Sequence, residues 1–295
     1  MTRFPLPCDP AVEAGYPEPP ARVGFFTDTS ICIGCKACEV ACKEWNGVPV
    51  DGLELLGMSY DNTGSLGANT WRHVAFIEQR VPAGAATGQD SVRWLMSSDV
   101  CKHCTHAACL DVCPTGSLLR TELGTVVVQD DICNGCGYCI PACPYGVIDQ
   151  RQSPSGDQNV GLAQKCTLCY DRIGGGLKPE RPSERETLES ACATACPTDS
   201  IMFGPLDELR QRAAERVATL HAAGVTDARL YGEDPSDGVG GTGSVFLLLD
   251  EPEVYGLPPD PVCTTRDLPA MWRRAGLAAA AMVAVVAGAF ARPAR

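Results

Sequence analysis

Sixteen of the 18 cysteines in this chain fall into four tight groups, and no other feature constrains its fold as strongly. The groups are Cys32, Cys35, Cys38 and Cys42; Cys101, Cys104, Cys109 and Cys113; Cys133, Cys136, Cys139 and Cys143; and Cys166, Cys169, Cys192 and Cys196. Four similar groups make an internal repeat. The repeat extends past cysteine, because Pro114, Pro144 and Pro197 each follow the last cysteine of a group. Short apolar runs then follow at 117–119, 147–148 and 200–203, and strand-like segments precede groups at 23–26, 92–96 and 125–128. The expected unit is strand, cysteine loop, short helix, strand.

Three chemistries compete for cysteines in this number. Disulfides suit small secreted domains, but residues 1–20 hold no apolar stretch of signal-peptide length, and repeated C-x-x-C spacing within one loop points to metal. Zinc knuckles suit Cys166 and Cys169 but not the triple runs of groups one and three. The run Cys133-x-x-Cys136-x-x-Cys139-x-x-x-Cys143-Pro144 resembles the bacterial ferredoxin loop, in which three cysteines bind one cubane and the fourth reaches the neighbouring one. Thiolates are soft ligands, and Gly34, Gly135 and Gly137 let the backbone approach sulfur closely. Proline after the fourth cysteine fixes φ and removes an amide, which shapes the exit from the loop.

The crossed-ligand rule, applied to nested groups, gives four expected sets. Cys32, Cys35, Cys38 and Cys196 form one; Cys166, Cys169, Cys192 and Cys42 a second. The inner sets are Cys101, Cys104, Cys109 and Cys143, and Cys133, Cys136, Cys139 and Cys113. Four [4Fe–4S] clusters are the expected cofactors, and with every recognisable ligand spent on them no catalytic residue is expected. Each cluster with its thiolates adds about −2 to a chain whose net charge is already −12. Lys36, Lys43, Lys102, Lys165 and Arg172 lie in or beside the loops, either easing reduction or standing as solvated surface charges. His103 and His106 are expected to be polar loop residues, since their group already has four cysteines, and Cys8 and Cys263 to be spare thiols.

No basic run or aromatic-interleaved basic stripe appears, so nucleic acid is not an expected partner. Residues 43–100 read as an insertion with turns and little periodicity. Residues 207–223 place Leu209, Ala213, Val217 and Leu220 on one helical face with Gly224 as a stop; 245–249 read as a strand and the Pro-rich 252–269 as a linker. Residues 275–291 are apolar without a charge, between Trp272, Arg273, Arg274 and Arg292, Arg295. As a helix they span roughly 26 Å, enough for a single membrane anchor with snorkelling arginines. Gly276, Ala280, Ala284 and Gly288 recur every four residues, a spacing that lets another transmembrane helix approach.

The stretch 24–45, GFFTDTSICIGCKACEVACKEW, together with GVGGT and VYGLPPDP within 231–261, resembles the β (iron–sulfur) subunit of membrane-bound formate dehydrogenases. These belong to the four-cluster subunits that serve molybdopterin oxidoreductases. The resemblance implies a non-catalytic relay between a molybdenum- or tungsten-pterin α subunit and a membrane cytochrome b γ subunit that reduces quinone. It also implies attachment to the cell membrane, with the cluster domains on the outer face, although a cytoplasmic-facing complex fits equally and two arginines on each side of the helix do not choose between them. Rival readings are the equivalent subunit of a polysulfide or thiosulfate reductase or a membrane hydrogenase, or a free-standing polyferredoxin. The expected fold is α+β, two nested ferredoxin-like modules plus a single C-terminal transmembrane helix. Its parts are a Pro-rich extension (1–22), the first half of the outer module with the insertion (23–100), the inner module (101–150), the second half of the outer module (151–205), a helix, strand and linker (206–269) and the anchor (270–295).

Overall fold

The computed structural model describes residues 9–51, 55–57, 60–61, 63–81, 91–152, 159–174 and 189–290. Cys8, Ala291, Arg292 and Arg295 lie outside them. Along the chain, α1 (Pro10–Glu13) precedes β1 (Val23–Asp28) and α2 (Ala37–Asn46). A long hairpin of β2 (Arg72–Val81) and β3 (Ser91–Val100) leads to α3 (Ala108–Asp111). Two short hairpins follow: β4 (Leu118–Arg120) with β5 (Val126–Val128) and, after α4 (Cys139–Ala142), β6 (Asp149–Gln150) with β7 (Ala163–Gln164). The chain then passes through α5 (Ala191–Thr194), β8 (Ile201–Pro205), α6 (Leu206–Ala222), β9 (Arg229–Tyr231), β10 (Ser244–Leu248) and α7 (Leu268–Phe290).

One four-stranded sheet, in the order β8-β1-β10-β9, frames the molecule. Residues alternate between its faces, so consecutive apolar residues in β1 and β10 serve two cores. Phe26, Val245 and Leu247 face α6 and pack on Leu206, Leu209 and Ala213, which recur at the three- and four-residue spacing of one helical stripe. Phe25, Phe246 and Leu248 face the other way, into a core shared with Cys38, Cys42, Cys101, Cys166 and Cys192. Each fully buried side chain of this size contributes about 1.5–3 kcal/mol. The helix and strand expected at 207–223 and 245–249 are therefore present. They are not an appendage, because β10 lies parallel and adjacent to β1.

The strands also bring the cysteine loops together. β1 runs into group one and β8 leaves group four, and the two pair antiparallel with Phe25 opposite Phe203. β4–β5 joins the exit of group two to the approach to group three, and β6–β7 joins the exit of group three to the approach to group four.

Two expectations are corrected. The insertion at 43–100 contains the longest described strands, β2 and β3, paired from Arg72 opposite Val100 to Val81 opposite Ser91. Its first strand escaped notice because the buried residues at its start are Arg72 and His73, so no apolar alternation marks it. Asp61 ties the hairpin to the first cysteine loop: Lys36 Nζ lies 2.7 Å from Oδ1, and His73 Nε2 lies 2.6 Å from Oδ2. The Pro-rich 252–269 is not a free linker. Tyr255 and Leu257 are buried in the main core, the Tyr255 hydroxyl accepts from Leu249 N at 3.1 Å, and Cys263 is buried against Ala108 and Val239. Proline restricts φ equally well for a packed turn and for an extended spacer, and composition does not separate the two.

α7 differs from every other helix. Residues Ala270–Phe290 are long and apolar enough to cross a membrane, and none of that stretch is buried. Its 23 residues span about 35 Å at ~1.5 Å per residue.

Candidate metal centres

The four cysteine loops share a backbone signature. The residue before the second cysteine of each C-x-x-C is left-handed: Gly34 at φ 66°, His103 at 45°, Gly135 at 70° and Leu168 at 60°. Glycine adopts this freely, whereas His103 and Leu168 accept a cost of about 1–2 kcal/mol. A turn of this kind directs successive amides inward, and Leu168 N donates to Cys166 Sγ at 3.3 Å. Gly34 is required by space as well, since a Cβ there would stand 2.6 Å from the Phe76 ring and 2.9 Å from Met96 Sδ.

After each loop comes a helical turn carrying the third cysteine, with the fourth four residues on. Cys38 and Cys42 both lie in α2, about 6 Å apart along its axis. Such a pair reaches two different neighbours. Cys32, Cys35, Cys38 and Cys196 line one cavity beside Gly34 and Ser98. Cys101, Cys104, Cys109 and Cys143 line another beside Lys102 and Lys165. Burial pushes the Cys42 thiol well up, and repulsion from Cys166, Cys192 and Cys169 adds to it. Burial likewise pushes Cys139 up to about 11; its own amide opposes this, and Cys133, Cys136 and Cys113 add to it. Cysteines of group one thus lie near cysteines of group four, and cysteines of group two near those of group three.

Among the described residues no three such side chains close on a point that would hold one ion. The cysteines instead stand around volumes. Cys42, Cys166, Cys169 and Cys192 are all buried, and thiols crowded in this way cannot all ionise unless positive charge lies between them; an all-sulfur donor set is also soft. This donor set fits a four-thiolate iron–sulfur core. The loop exits support the same chemistry: with the amide after the fourth cysteine removed by proline, later amides turn to sulfur. Burial alone would raise Cys113, but N–H groups of Leu118, Thr115 and Ser117 with the Thr115 hydroxyl hold it down to about 7. Burial raises Cys143, with Val147, Tyr145 and Gly146 N–H groups opposing it.

The cations sort into two kinds. Lys102 and Lys165 are buried and line the second cavity; Lys102 Nζ donates to Val100 O at 2.8 Å and Lys165 Nζ to Cys166 O at 2.9 Å. A solvated role is excluded for both. Lys36 pairs with Asp61, Lys43 Nζ donates to Asn69 O at 2.6 Å, and Arg172 stacks 4.3 Å from the Trp45 ring centroid. His106 is a half-buried loop residue. His103, also in a loop, is buried, and its Nδ1 accepts from Val126 N at 3.1 Å. Burial, with Lys165, Arg22 and Arg120 nearby, holds its basicity well below the ordinary histidine range. Cys263 is buried, with its sulfur 3.1 Å from Thr265 Oγ1.

Sequence reasoning missed Arg72. It lies in the insertion, is 1% exposed, and no motif or spacing marks it. Burial by itself would lower its basicity, but the sulfurs of Cys192, Cys38, Cys166 and Cys42 outweigh that and raise it.

Two family models match, each described as a 4Fe-4S dicluster domain, over residues 31–117 and 92–206. The chain is 40% identical over 255 residues to the formate dehydrogenase iron-sulfur subunit of Haemophilus influenzae, covering 83% of this chain and 73% of that protein. It is 38% identical over 275 residues to the nitrate-inducible formate dehydrogenase iron-sulfur subunit of Escherichia coli, covering 91% and 83%. The B subunit of the anaerobic dimethyl sulfoxide reductase of Escherichia coli matches at 34% over 203 residues, covering 67% and 80%. The cofactors are four [4Fe–4S] clusters.

Proposed function

We propose, because the chain belongs to the iron–sulfur subunit family of formate dehydrogenases, that it carries electrons from a formate-oxidising catalytic subunit to a membrane partner. Each bound cluster takes up and passes on one electron. In this reading Cys32, Cys35, Cys38 and Cys196 hold one cluster, and Cys42, Cys166, Cys169 and Cys192 a second. Cys101, Cys104, Cys109 and Cys143 hold a third, and Cys113, Cys133, Cys136 and Cys139 a fourth. The observation that carries it is the crossed meeting of group one with group four and of group two with group three around separate cavities. Two nested ferredoxin-like modules follow from that crossing.

The residues also suggest an order along the relay. Cys38 and Cys192 are close enough to repel, as are Cys166 and Cys101, and Cys109 and Cys139. These repulsions run from the Cys32 set through the Cys166 and Cys101 sets to the Cys133 set. Cys35 and Cys136, at the two ends, are exposed. Thr265, three residues before α7, donates its hydroxyl to Asp111 between Cys109 and Cys113. The root of α7 therefore lies near the Cys133 end of the relay, and the Cys35 end is left for the catalytic subunit.

α7 is read as a single-pass anchor in lipid that docks a cytochrome b subunit delivering electrons to quinone, with the cluster-bearing part on the outer face of the cell membrane. The catalytic partner is read as a molybdopterin or tungstopterin protein. The test is purification of the complex under anaerobic conditions, with addition of formate. Bleaching of the cluster absorbance by formate supports the reading. Bleaching that reverses with dimethyl sulfoxide but is not produced by formate would favour the second reading, which the 34% match to a dimethyl sulfoxide reductase subunit supplies.

A further inference from the structure

Arg72 poses a physical problem that the protein alone does not solve. A guanidinium is always charged, and burying one without an anion costs several kcal/mol. Arg72 is 1% exposed, and among the described residues no carboxylate forms an ion pair with it. Its Nη1 donates to Ser98 Oγ at 3.0 Å and Ser98 O at 3.3 Å, and its Cζ stands 4.6 Å from the Phe25 ring centroid. Nε and Nη2 are buried without a partner.

The surroundings supply the anion. Ser98 Oγ lies 3.3 Å from Cys38 Sγ, and since that oxygen accepts from Arg72, its own hydrogen is free to point at the sulfur. Cys192, Cys38, Cys166 and Cys42 share one buried core with Phe25, on whose ring Arg72 lies, and their charge acts on the guanidinium. Cys38 belongs to one outer set and the other three to its neighbour. The β2–β3 register fixes this position, with Arg72 opposite Val100, the residue before Cys101.

We propose that Arg72 is a shared electrostatic clamp between the two outer cysteine sets, its buried guanidinium and two free N–H donors raising the reduction potential of both clusters held there. Reduction adds negative charge, which a fixed cation in a low-dielectric interior favours. Because one residue serves both sets, it moves the two potentials together. The inner sets have Lys165, and Lys102 in its ion pair with Asp99, and do not depend on it.

The inference rests on the ligand sets proposed above, and the experiment separates the two. Iron content of the wild-type complex tests the sets; reduction potentials of variants, followed by low-temperature EPR in an anaerobic redox titration, test Arg72. Arg72→Gln and Arg72→Met are compared with wild type. The expected result is unchanged iron, with two clusters at least tenfold harder to reduce, 59 mV for a one-electron couple, and two unmoved. Arg72→Lys, which keeps the charge but not the planar fork, should shift the same two clusters by less. Four unmoved potentials at full iron content would overturn the proposal, and a shift confined to one cluster would overturn the sharing. Loss of iron in both neutral variants would also count against it, because a tuning residue is dispensable for assembly.

Discussion

Gly34 combines two demands at one position, a left-handed φ of 66° and a neighbouring ring where a Cβ would stand at 2.6 Å. Gly34→Ala should therefore cost about 1–3 kcal/mol, read as an earlier midpoint for thermal bleaching of the cluster absorbance. The crossed ligands give a sharper test. Cys42→Ser should alter the EPR signal of the cluster held by Cys166, Cys169 and Cys192 and spare the one held by Cys32; the reverse outcome would overturn the pairing. The sixteen cysteines were legible because sulfur ligation demands a fixed spacing within each loop. Leu168, His103 and Arg72 were not. The first two occupy the left-handed position that Gly34 and Gly135 fill, but their side chains carry no sign of it. Arg72 answers a charge that exists only once distant loops have met.

Among the elements, the β2–β3 hairpin is held to the first loop largely through one carboxylate. Asp61 accepts from Lys36 and His73 and from the amides of Thr63 and Gly64. Asp61→Asn removes an acceptor and the charge, so it should cost about 1–3 kcal/mol and lower the bleaching midpoint without changing iron content at room temperature. α6 and β10 were readable from periodicity, since a stripe at three- and four-residue spacing and an apolar run need no knowledge of partners. Of the hairpin, the second strand was readable at 92–96 but the first was not, because its inner end buries Arg72 and His73. α7 was readable as apolar, and it contains no cluster ligand. Deleting residues 271–295 should leave all four clusters in place and abolish quinone-linked turnover, while formate oxidation with an artificial acceptor persists. Undiminished membrane association of the truncated chain, in the absence of the catalytic subunit, would contradict the anchor.

At the scale of the whole molecule, two cores flank one sheet, and they do different work. The α6 side is an ordinary apolar core. The other side shares its interior between cysteines and large side chains such as Phe25, Trp71, Phe246 and Tyr255. Because cysteines share that core, a count of metal tests the whole arrangement most directly. Iron and acid-labile sulfide, measured per chain on anaerobically purified protein, should each come to about sixteen, four cubanes of four irons and four sulfides. A value near eight, or zinc in place of iron, would contradict it.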